Sequence, residues 1–347
     1  MAFNGQLKSN EIFSALYNMI ISQEVFADNI SKHQTLVDKA RVDGGLYGDT
    51  KLYYATDALK SAPWGNDAEA TNLLALHRPP APECQEIVLD QFRQICLTVD
   101  NYLTKRAWMA EGAFSSFNGV MLGWMRETKR IYDGTLYNVF IGTTKSAKES
   151  QNITVTANAS AQEIAETLAN LIVAMGDYSR DFNDYGFLRS YSEGEIKVIW
   201  NSKYVNKIKK IDLPTIFHKE GLMDKFEEEI LPARYFGTVN DAKVLGSAND
   251  GTYRSVIEKD YGARHVFPGD AIPASVEIAA GEGYKVDEKV ICKVLVKLPP
   301  YMSAFEVGTS FFNPKSLTEN HYLTFGYNTL EYLKNYPFIT VSEATGA

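Results

Sequence analysis

Histidine is where chemistry would first be sought in this 347-residue chain, and it is scarce: His33, His77, His218, His265 and His321. No two stand at the i, i+4 spacing that sets both on one helix face around a metal ion. His218 in "IFHKEGL" and His265 in "YGARHVF" are the best candidates for acid–base work, yet neither has a partner fixed by spacing. Glu227, Glu228 and Glu229 form a carboxylate run in what reads as a short acidic turn of helix over 224–231. Successive helical residues point in different directions, so the run reads as a solvated face and not as a catalytic pair. Cys84, Cys96 and Cys292 lack metal-ligand spacing and read as thiols kept reduced. No Gly-x-Ser-x-Gly elbow is present. Gly281 and Gly283 flank Glu282 in a stretch that hairpin geometry explains. No cofactor or metal is expected from these residues.

One stretch has the outline of a nucleotide-binding turn. Lys197 to Pro214, "KVIWNSKYVNKIKKIDLP", runs from an apolar strand through Asn201-Ser202 into a basic helix. It contains no glycine. A phosphate cradle needs glycines so that backbone amides can approach the oxygens, so this turn fails as one, and neither the Walker nor the dinucleotide-binding consensus occurs elsewhere.

Composition narrows the partners. Net charge is −8 and the pI is near 5.3. A broad phosphate-binding face needs an excess of Lys and Arg. The densest basic patch, Lys207, Lys209 and Lys210, is a small solvated face. Hydrophobic residues make up 45% and aromatic residues 12%, ample for a core and for subunit contacts. The start of the chain lacks a signal-peptide pattern, and the apolar run Ile12 to Ile21 is too short to span a bilayer, so no membrane partner is expected.

Which elements would position these residues? A helix is predicted over 9–30, capped by Asn10. Residues 41–83 break every periodicity and read as an arm lying across a neighbour. Over 85–103, Ile87 and Leu89, then Ile95, Leu97 and Val99, alternate as two short strands, with the turn near Asp90 to Arg93. The clearest helix is 111–134, where Phe114, Phe117, Met121, Trp124 and Ile131 fall on one stripe and Gly134 fits the stop. Phe117, Met121 and Trp124 are read as core. Ser160 and Glu163 form a capping box that opens a helix ending near Gly176. A strand at 195–200, a helix at 202–211 and strands at 253–258, 288–298, 321–327 and 337–341 complete a mixed α+β chain.

The order of these elements, with "EIKVIWNSKYVNKIKKI" as its most specific piece, resembles the major capsid proteins of tailed bacteriophages, the Hong Kong phage-type fold shared with encapsulins. The resemblance spans about 85–341. It implies an N-terminal helix and arm (1–84), an extended hairpin loop (85–105), a spine helix with a peripheral domain (106–150), an axial domain (151–300), and a return to the peripheral domain with C-terminal strands (301–347). Ser202 would cap its helix, and Trp200 and Tyr204 would join the core. Phe92 and Arg93 on the hairpin, and Tyr53, Tyr54 and Trp64 on the arm, would touch neighbouring subunits. The chain leaves no room for a scaffolding extension before the hairpin. The implied partners are therefore copies of itself in hexamers and pentamers, a separate scaffolding protein or none, a portal protein, and packaged DNA held without sequence-specific contacts. Assembly in the host cytoplasm and residence in the virion head follow. The resemblance implies a shell protein without catalytic residues. The alternatives are a head-completion or tail subunit, an encapsulin-like compartment, and a cytosolic α+β enzyme with a site around His218 or His265.

Overall fold

A computed structural model describes residues 35–45, 48–61, 76, 78–100, 111–209, 227–239, 284–286 and 289–344. The side chains of 111–122, 206–209, 238–239, 284–286 and 304–305 lie outside that description. In chain order the elements are α1 (Leu36–Ala40), β1 (Arg41–Asp43), β2 (Thr50–Ala55), β3 (Glu83–Asp100), α2 (Glu111–Thr143), β4 (Asn152–Val155), α3 (Ala161–Gly176), β5 (Lys197–Asn201), α4 (Ser202–Lys209), β6 (Glu227–Leu231), β7 (Gly237–Val239), β8 (Tyr284–Val286), β9 (Val290–Leu295), β10 (Tyr301–Asn313), β11 (Thr318–Asn328) and β12 (Phe338–Glu343). The expected helix 9–30 and strand 253–258, and also Trp64, His218 and His265, lie outside the described residues.

The chain divides into two units. The first comprises 1–49, 88–137 and 301–329; the second comprises 50–87, 138–300 and 330–347. The first unit is built on a sheet ordered β1-β10-β11-β3, with β2 following as the next strand. Strands β10 and β11 form a long antiparallel hairpin, and β11 pairs antiparallel with β3 from Thr318↔Asp100 to Asn328↔Leu89. The expected two-strand hairpin over 85–103 is therefore a single strand. Asp90 to Arg93, "DQFR", has no Gly, Asn or Pro to supply a turn. Asp90 instead accepts hydrogen bonds from the amide and hydroxyl of Thr329, at 2.9 and 2.7 Å. The alternation that suggested two strands runs through the whole of β3 without a break.

Helix α2 continues past Gly134 to Thr143 and is about 50 Å long. A glycine inside a helix costs about 1 kcal/mol, which the buried residues Leu136, Tyr137, Val139, Phe140 and Ile141 beyond it offset. Its Gly142 has a separate cause: a Cβ there would sit 2.0 Å from the carbonyl oxygen of Tyr235.

The second unit holds a sheet ordered β4-β12-β9-β5-β6, covered by α3. Strand β9 is buried along its whole length, as a central strand covered on both faces must be. Ser160 caps α3 by accepting from the Glu163 amide at 3.2 Å, while the Glu163 carboxylate takes the Thr156 hydroxyl. The run 227–229 forms strand β6, not a helix. It pairs in parallel with β5, and Lys197 meets Glu227 in both register and charge. Cross-strand pairing thus decides a segment whose composition alone suggested helix.

Candidate functional site

In the turn that resembled a nucleotide site, β5 supplies buried Val198, Ile199 and Trp200, and α4 adds buried Tyr204 and Val205. The capping residue is Asn201, not Ser202. Its side-chain oxygen accepts from the Lys203 amide at 3.1 Å, and its amide donates to the Val290 carbonyl at 2.8 Å. Ser202 accepts instead from the Ala233 amide at 3.1 Å. The Asn201 and Ser202 side chains thus serve the fold.

Close by in the second unit, residues 177–191 hold the end of β2. Asp57 accepts from the Leu188 amide at 3.0 Å and pairs with Arg180 at 2.7 Å, while Arg189 donates to the Thr56 carbonyl. The Leu188 amide, then the Arg180 guanidinium, bring the Asp57 carboxyl down to about 2. Tyr53 receives the Lys297 ammonium over its ring at 5.7 Å, and Tyr54 is exposed. Among the described residues, no group of three or more His, Cys, Asp or Glu could hold a metal ion. No helix among them is long and apolar enough to cross a membrane.

The first unit carries a different kind of surface. One face of its sheet is built for α2. Tyr132 meets Phe325 edge-to-face with ring centroids 6.0 Å apart, and its hydroxyl lies 2.8 Å from that of Tyr327. Arg93 stacks over Tyr132 at 5.0 Å and donates to the Tyr327 hydroxyl at 3.4 Å. Asp133 is 1% exposed. Burial pushes its carboxyl up, against the Tyr301 hydroxyl at 2.6 Å and the charges of Lys129 and Arg41. Lys129 also reaches Glu306 at 3.1 Å, and Arg126 joins it at 3.5 Å. Trp124, expected in the core, is 47% exposed. The apolar stripe of α2 shifts to Met125, Tyr132 and Leu136, and Trp124 falls off its edge.

The opposite face of the same sheet is open. The register puts Phe92, Gln94, Cys96 and Thr98 of β3 beside Gly326, Thr324, Tyr322 and Asn320 of β11. Val307, Thr309 and Phe311 of β10 come next. None of these residues is Asp, Glu, Lys, Arg or His. The polar ones bond one another: Gln94 donates to Thr324 at 3.0 Å, and Thr98 to Asn320 at 2.7 Å. Phe92 lies flat across Gly326, where a Cβ would come within 2.9 Å of its ring. Phe311 is 63% exposed. An antiparallel sheet that faces water ordinarily carries polar residues on that side. Here the polar residues are uncharged, and Phe92 and Phe311 stand exposed among them.

Beside this face runs an open edge. Strand β1 covers β10 only at Tyr301–Ser303. From Glu306 to Asn313, no strand among the described residues pairs with β10 on that side. Sequence reasoning singled out Phe92 as a subunit contact and passed over Val307 and Phe311, its companions on the open face, and exposed Phe312 on the other face. The signal was the alternation "EVGTSFFN", directly before a Pro-Lys-Ser turn and a second strand.

No protein-family model and no curated protein matches the sequence. Solved structures do match in fold. The chain aligns over 93% of its length, and 87% of the other chain's, with the capsid structure of Staphylococcus phage Andhra, at a TM-score of 0.62 and 10% identity. It aligns over 90% of its length, and 87% of the other chain's, with a structure of the head fibre and inner core protein gp22 of native bacteriophage P68, at 0.59 and 11%. The acidic stable capsid structure of Helicobacter pylori bacteriophage KHP30 matches over 99% of this chain and 100% of that one, at 0.50 and 8%. At these identities the likeness is one of fold: a mixed α+β architecture that is also found in phage capsid structures.

Proposed function

We propose that this chain is a major capsid protein, the repeated subunit of the icosahedral or prolate head shell of a tailed phage. The observation that carries the reading is the fold shared with the Andhra capsid structure over some nine-tenths of both chains. In Hong Kong phage-type terms, α2 is the spine helix, the first unit is the peripheral domain and the second unit is the axial domain. The extended hairpin loop moves from 85–105 to β2, the connection 56–82 and the start of β3, because β2 neighbours β3 in the sheet. The Asp57–Arg180–Leu188 clamp then holds the base of that loop.

A shell subunit needs extended surfaces that lack a partner within one chain. The uncharged face around Phe92 and Phe311 is such a surface, and obligate assemblies bury well over 2,000 Å² through faces of this kind. On this reading the partners are copies of the chain in hexamers and pentamers, a separate scaffolding protein, a portal, and DNA held without sequence reading. The net charge of −8 keeps packaged DNA mobile. The test is electron microscopy of the overexpressed full chain, alone and with a candidate scaffolding protein. Closed shells or capsomer rings are expected. Tubes would assign the chain to a tail instead, and shells loaded with protein cargo would assign it to an encapsulin-like compartment.

A further inference from the structure

We propose that the open edge of β10 is a two-fold contact, in which Glu306–Asn313 pairs antiparallel with the same residues of a second copy, centred on Thr309. The inference deepens the shell reading and rests on it only for the premise that copies of the chain meet.

Three observations carry it. First, the edge has few of the devices that keep strand edges from pairing, and its one charge, Glu306, is taken up by Lys129 and Arg126. From Glu306 to Asn313 there is no proline, no lysine and no bulge; the one irregularity in β10 lies before this stretch, between Ala304 and Glu306. Second, the edge complements itself. A two-fold pairing keeps each sheet face continuous only when opposed residues share parity, so the axis must pass through one residue. Centring on Thr309 sets Thr309 against Thr309 and Val307 against the second copy's Phe311. Both are favourable cross-strand pairs on the uncharged face. On the helix-side face, Gly308 opposes Ser310, and a side chain at Gly308 would meet open space. Both open faces then join into one.

Third, the charges match. Glu306 opposes Phe312, which is itself paired with Glu319 on β11. Arg126, bound to Glu306 at 3.5 Å, thereby faces the second copy's Glu319 across that ring. No like charges are opposed. The end of β1 at Asp43 also sets where the pairing stops.

The test is disulfide trapping in the full chain with exposed Cys84 and Cys96 changed to Ser; Cys292 is buried and stays. Thr309→Cys faces itself across the axis, within reach of a disulfide. Gly308→Cys faces Ser310, and its own copy lies beyond the roughly 7 Å limit between Cα atoms. Under mild oxidation, Thr309→Cys is expected to shift from the one-chain to the two-chain band on a non-reducing gel, while Gly308→Cys stays at one chain. Equal trapping of both variants, or of neither, overturns the proposal whether or not particles form. Microscopy of the same samples reads the shell proposal separately, since a trapped dimer without shells keeps the edge contact and rejects the shell.

Discussion

The two sheets of this molecule solve the same physical problem in opposite ways. In the second unit, β9 is buried end to end, β5 and β12 nearly so, and α3 seals the core with Ile164, Leu168, Ile172 and Met175. In the first unit, one sheet face is locked to α2 by rings and charges, and the other offers uncharged aromatic residues and an open edge to water. The first design completes itself. The second leaves surface whose burial requires another molecule. Substitutions should therefore act on stability in one region and on association in the other.

The largest expected effect is in the closed sheet. Trp200→Ala removes a ring from the centre of that core and should cost about 3–5 kcal/mol in chemical denaturation. Next comes Gly142→Ala, which drives a methyl into the Tyr235 carbonyl and should cost about 3 kcal/mol, at the upper end of overpacking effects. In the open sheet, Phe311→Ser should change unfolding stability by less than about 0.5 kcal/mol, as exposed positions do. The same variant should abolish or strongly slow particle formation followed by light scattering. A large stability loss there would erase the contrast between the sheets. Trp124→Ala should also be mild, under about 1 kcal/mol, because the residue is already 47% exposed.

The legibility of the fold in the sequence follows the same division. Elements that close on themselves could be read: the Ser160 cap, the periodicity of α3, and the apolar strands at 197–201, 290–295 and 338–343. Elements defined by a distant partner could not. β3 looked like a hairpin because nothing in "DQFR" announces that it pairs with β11 more than two hundred residues later. β6 looked helical until Lys197 supplied its register partner. Trp124 looked like core because helical spacing gives a stripe but not which edge of that stripe meets the sheet. The open face was half legible. Phe92 stood out by residue type, whereas its continuity with Val307 and Phe311 exists only once three strands align.

The smallest expected effect is local and pH-dependent. The Asp57 carboxyl is held at about 2, below its ordinary value near 3.8. A depressed carboxyl contributes stability that is fully present above the ordinary value and is lost as pH falls through the folded one. The Leu188 amide should therefore lose hydrogen-exchange protection as pH falls from about 4 to 2, and Asp57→Asn should remove that dependence while the second-unit core stays protected.

The most direct test of the contrast is hydrogen exchange on the dilute chain and on assembled particles, compared segment by segment. Assembly should add strong protection to Glu306–Asn313 and leave the strands 197–201 and 290–295, already closed, unchanged. Unchanged exchange at Glu306–Asn313, with new protection appearing in the second unit instead, would contradict the assignment of the open sheet as the surface through which copies meet.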